Sequence, residues 1–133
     1  MGGALRALAL AAALAFPLAA GADDPLQGHT SGDAVGATMA AEFSLRAGKL
    51  NEAVRWYLRA SEAVGGDAAL AERAVQVALV GTDDALLGQA LDQWRALAPP
   101  SLAMRSAQAT WLLRTGRDRR ARRELEALLR GEG

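Results

Sequence analysis

The sequence predicts an all-α chain built as three helix–turn–helix units stacked into a short α-solenoid. Three observations predict it. Gly48, Thr82 and Gly116 stand 34 residues apart, and so do Asp33, Asp67 and Ser101. Other positions keep the same register: Ala41, Val75 and Ala109; Ala53, Leu87 and Ala121; Tyr57, Leu91 and Leu125. Between these markers the apolar residues step by three and four, as a helix with one buried face requires. A fixed period of this size marks a protein of stacked repeats, in which each unit buries its apolar face only against its neighbours.

The units are expected at 34–67, 68–101 and 102–133, each with a first helix A and a second helix B. Asp33, Asp67 and Ser101 stand where a cap residue would accept a hydrogen bond from an orphan N–H at the start of helix A. Gly48 and Gly116 stand where helix A ends and the chain must turn, which glycine does without steric cost. Thr82 takes that place in the second unit with Gly81 before it, so that turn is expected to shift by one residue. Pro99 and Pro100 stop the second B helix. The A faces read Ala37, Ala40, Ala41 and Leu45, then Ala71, Ala74, Val75 and Leu79, then Ala109, Leu112 and Leu113. The B faces read Ala53, Tyr57 and Ala60, then Leu87, Leu91 and Trp94, then Ala121, Leu125 and Leu128. Gly36 and Gly88 interrupt helices at about 1 kcal/mol each against alanine, a cost that close helix packing would justify.

Hydrophobic residues make up 51% of the 133, but aromatics only 5%, so the core is expected to be thin and made of many small contacts. Formal net charge is zero, which argues against nucleic acid as a partner. There is no cysteine, hence no disulfide, thiolate metal site or cysteine nucleophile.

Residues 1–22 have the three parts of a secretory signal: Arg6, an apolar run from Ala7 to Ala20, and the small-residue site Ala20-Gly21-Ala22. Cleavage there would leave a mature chain starting at Asp23, with no membrane span, in the periplasm. The alternative is an uncleaved segment that anchors the chain in the inner membrane. Residues 23–33 read as a polar, turn-rich linker containing the single histidine, His29.

At Gly48-Lys49-Leu50-Asn51-Glu52-Ala53-Val54, with Tyr57 and Ala60, the chain resembles a tetratricopeptide repeat protein. Gly116, Ala121, Leu125 and Leu128-Leu129 continue the resemblance, as does Pro99 at the end of the second unit. It covers roughly residues 34–130 and implies a right-handed superhelix that binds proteins and carries no catalysis and no cofactor. The second unit, with Leu70-Ala71-Glu72-Arg73-Ala74, Ala78-Leu79, Trp94 and Leu97-Ala98-Pro99, is similar to the N-terminal repeats of a proteobacterial envelope family. Members of that family include lipoproteins that serve as adaptors for a processing protease acting on cell-wall hydrolases. The resemblance implies an envelope protease or cell-wall enzyme as partner. This chain differs in lacking a lipid-attachment cysteine and in having three units where that family has many.

By repeat geometry, the concave face should carry Thr38, Glu42 and Arg46; Glu72, Gln76 and Val80; and Ser106, Thr110 and Arg114. That mixed surface suits an extended peptide or a partner helix. No nucleophile motif, phosphate loop or metal-spaced cluster is present. Asp83-Asp84 reads as a helix cap rather than an acid–base pair. Arg117, Arg119, Arg120, Arg122 and Arg123 form the densest charge run. From Arg105 onward there are eight arginines and four acids, against six basic and eleven acidic residues from Asp23 to Pro100. The chain is therefore acidic first and basic last. Leu125, Leu128 and Leu129 form an apolar face on the last helix with no following A helix in the sequence. The alternative function is a self-associating structural fragment of a longer repeat array, whose last helix pairs through that face with another copy and makes a homo-oligomer.

Overall fold

A computed structural model describes residues 32–131. The signal, most of the linker and His29 lie outside the described residues. The described chain is all-helical: α1 Asp33–Arg46, α2 Leu50–Ala63, α3 Ala68–Val80, α4 Asp84–Leu97, α5 Leu102–Arg114 and α6 Asp118–Leu129. Each helix packs on the next, and α2 also touches α4. The junction between α4 and α5 is thinner than those before it.

The helix ends follow from single residues. Asp67 accepts from the Leu70 N–H at 3.1 Å, and Ser101 accepts from Met104 at 3.1 Å. Asp83 accepts from Leu86 at 2.9 Å, so the acidic pair is a cap, with Asp84 in the first turn of α4. Asp33 departs from expectation. Gly32 holds the cap position, and Asp33 is the first helical residue, where its charge still suits the dipole. Gly48 and Gly116 have φ of 78° and 77°, and the next N–H in each case reaches back at 2.8 Å, Lys49 to Ser44 O and Arg117 to Leu112 O. The second unit turns differently: Gly81 is extended, and the Asp83 cap, not a left-handed glycine, starts the B helix.

The core is one cluster from α1 to α5, centred on Tyr57, Leu87, Leu91, Val54 and Val75 with alanines between them. Ala41, Ala53, Ala60, Ala71, Ala74 and Ala90 are 0% exposed, so small side chains do set the helix spacing. Buried Ser61 joins the first two units: its hydroxyl donates to Asp67 O at 2.8 Å and accepts from Asp67 N at 3.1 Å. The apolar face fades toward the C-terminal end. Leu113 was expected on the buried face but is 50% exposed, because no described element packs over that side of α5. On α6 only Ala121 is buried.

Candidate functional site

The nine candidate concave-face residues do not converge into one pocket. Thr38, Glu42 and Arg46 do share a hollow of about 250 Å³ on α1, together with Met39 and Phe43. On α3, half-buried Glu72 and exposed Gln76 are joined by a 3.5 Å hydrogen bond, and Val80 ends that row 73% exposed. Ser106 and Thr110 lie exposed on α5, where the Thr110 hydroxyl donates back to Ser106 O at 3.1 Å. The Thr38 hydroxyl similarly donates to Ala34 O at 2.8 Å.

Arg114 faces inward. Its Nε meets Asp84 Oδ1 at 2.6 Å, and its other nitrogens donate to Gly81 O at 3.0 Å and Leu79 O at 3.4 Å. The guanidinium thus ties the end of α3 and the start of α4 to α5. A planar fork suits three such acceptors.

Glu42 is also engaged. The Tyr57 hydroxyl of α2 donates to its carboxylate, and Arg73 of α3 donates from Nε to the Tyr57 oxygen at 3.4 Å. Arg73 also lies over the Tyr57 ring at 5.7 Å. This chain of contacts joins the first three helices. Burial first, then the Glu42 hydrogen bond, push the Tyr57 pKa above the ordinary value of 10.0, with Arg73 opposing them. The sign follows: neutral Tyr57 stabilises the fold below pH ~10, and that contribution is lost as pH rises through the raised folded value. Tyr57 is the single tyrosine of the chain, so an ultraviolet titration reads it alone. The expected midpoint lies higher in the native protein than in denaturant. Equal midpoints would mean that the Tyr57 hydroxyl is neither buried nor bonded to Glu42 strongly enough to outweigh Arg73.

Sequence reasoning missed a second set of residues. Val35, Met39 and Phe43 form a stripe on α1, 61%, 55% and 62% exposed. The 34-residue register held the signal. Phe43 aligns with buried Val77 and half-buried Trp111, so an apolar side chain there has a place to pack in the later units. Trp111 shows where: its indole N–H donates to Asp84 O at 2.9 Å, and its ring lies against Gly88. Trp56, the other aromatic of interest, is half-buried against the core with Arg59 at 4.9 Å over its ring.

Among the described residues, no group of three or more histidine, cysteine, aspartate or glutamate side chains is placed to hold a metal ion. No described helix is long and apolar enough to cross a membrane. Comparison with protein-family models, curated proteins and solved structures gave no match to this chain.

Proposed function

We propose that this chain is a non-catalytic protein-interaction module of the bacterial cell envelope, an adaptor or assembly scaffold. In this reading the six helices are three tetratricopeptide units of a right-handed solenoid, exported to the periplasm by the N-terminal signal. The observation that carries the reading is the mixed row on successive A helices: Glu72, Gln76 and Val80 on α3, then Ser106 and Thr110 on α5. These side chains offer hydrogen-bond donors and acceptors along two helices without committing to one small ligand. Thr38 and Arg46 stand at the equivalent register positions of α1, one period before Glu72 and Val80. Glu42 and Arg114 support its geometry from within, since both are held by intramolecular partners. The expected partners are a processing protease or a cell-wall enzyme, met through an extended segment or a helix.

The test is affinity capture from an envelope extract with the chain as bait, against the double variant Glu72→Arg, Thr110→Arg. Both positions face solvent or nearly so, and the fold should tolerate them. A protease or cell-wall enzyme retained by the parent and reduced about tenfold or more by the variant supports the proposal. Equal recovery by both proteins, or bait alone, refutes it.

A further inference from the structure

We propose that copies of this chain associate head to tail, with α6 of one copy packed on α1 of the next. The proposal goes beyond the adaptor reading and uses the two ends of the helix stack, leaving the row on α3 and α5 open.

The chain contains its own template for such a junction. Twice, a B helix packs on the following A helix: α2 on α3, and α4 on α5. In the first junction Tyr57 of α2 meets Arg73 of α3. In the second, Gly88 of α4 receives Trp111 of α5, and Arg95 donates to Gln108 at 2.7 Å. The repeat register carries each contact to the ends. Two periods of 34 after Tyr57 stands Leu125, and one period before Arg73 stands Met39. One period after Gly88 stands Arg122, and two before Trp111 stands Phe43. One period after Arg95 stands Leu129, and two before Gln108 stands Ala40.

The exposures agree with that mapping. Tyr57 and Leu91 are each 1% exposed, whereas Leu125, at the same register position, is 40% exposed and Leu129 is 88% exposed. On the receiving side, Val77 is 4% exposed and its equivalent Phe43 is 62%. Leu125 and Phe43 are open where their equivalents at the internal junctions are covered, and Met39 and Leu129 carry apolar side chains where the template has the exposed Arg73 and Arg95. The carried pairs Leu125 with Met39 and Leu129 with Ala40 are chemically compatible; at the third position Arg122 stands where Gly88 admits the Trp111 ring, so the helices there must stand further apart than α4 and α5 do, with the guanidinium over the Phe43 ring.

Charge selects the orientation. From Leu102 to Gly131 there are eight arginines and three acids; from Asp33 to Ser101 there are six basic and nine acidic residues. Pairing α6 with α6 would juxtapose two arginine-rich helices, which like-charge repulsion opposes. The first unit is close to neutral, with four basic and five acidic residues from Asp33 to Asp67, so pairing α6 with it avoids that repulsion. Because the two surfaces differ, the contact is heterologous and extends into open chains instead of closing as a dimer.

The experiment is sedimentation velocity on the protein in the form its host produces, over a wide range of concentration. The parent should give a concentration-dependent series beyond the dimer. Phe43→Asp blocks the receiving end, and Leu129→Asp the donating end. Each alone should be monomeric. Mixed, they should form a one-to-one complex and nothing larger, because each retains the end that the other has lost. Both side chains face solvent, and far-UV circular dichroism checks the fold. If Phe43→Asp fails to fold, Met39→Asp takes its place. A parent that stays monomeric overturns the proposal. So does association that survives Phe43→Asp, the result expected of an α6–α6 dimer, and so does a mixture that remains monomeric. Capture of an envelope partner with the Glu72 and Thr110 variants reads the other surface, so either proposal can fail alone.

Discussion

Leu91→Ala is expected to lower the unfolding free energy by about 3 kcal/mol, whereas Leu125→Ala, one repeat further on, is expected to cost less than about 1 kcal/mol. Both leucines hold the same register position of a B helix. Leu91 is 1% exposed in the central cluster, with Leu87 and Trp94 of its own helix and Tyr57 of α2. Removing its branched end leaves a cavity that the surrounding alanines cannot refill, because their side chains have no length with which to move. Leu125 is 40% exposed, and its truncation removes less buried area and leaves no enclosed void. A small helical domain has only about 5–15 kcal/mol in total, so the first variant should show a strongly lowered urea midpoint. The measurement is urea unfolding followed by far-UV circular dichroism, at a concentration low enough to keep the chain monomeric. Equal costs at the two positions would mean that the third unit is buried as deeply as the second, contrary to the burial described here.

The contrast also separates what local sequence decides from what packing decides. Caps and turns depend on one or two residues, and they were legible: Asp67, Asp83 and Ser101 bond the N–H groups three residues on, and Gly48 and Gly116 turn with positive φ. Helical periodicity was legible for the same reason, and with it the all-α class. The site was less legible. Repeat geometry placed Arg114 on the open row, but the extended turn at Gly81 frees backbone carbonyls that its guanidinium binds, and Asp84 supplies the charge. Glu42 sits beside the Tyr57 hydroxyl, a pairing between helices that no spacing within one helix encodes. The Val35, Met39 and Phe43 stripe could have been read by setting Phe43 against Val77 and Trp111. Inside α1 alone it looks like an ordinary core face.

Gly88→Ala and Gly36→Ala are expected to change stability in opposite directions, although both add one methyl group to a helix interior. Helix propensity alone favours alanine by about 1 kcal/mol at each site. At Gly36 a Cβ meets nothing within 4 Å, so that preference is realised, and the variant should be more stable by up to about 1 kcal/mol. At Gly88 the new Cβ would lie 2.8 Å from Trp111 Nε1 and 3.1 Å from Cε2. The indole cannot yield by a simple rotation, because its N–H is held by Asp84 O at 2.9 Å and its ring packs against the core. Relief therefore requires breaking that bond or separating α5 from α4, the thinnest of the sequential junctions. Overpacking of this kind typically costs about 1–3 kcal/mol, and with the propensity gain subtracted the net loss should be about 1–2 kcal/mol. The same step exposes a buried-side N–H, so the Trp111 indole proton should exchange faster with solvent in Gly88→Ala and remain unchanged in Gly36→Ala. Chemical denaturation gives the two free energies, and the indole exchange rate locates the cause. A stabilised Gly88→Ala would show that the indole has another place to pack, and the close approach of α4 and α5 would then have no need of glycine.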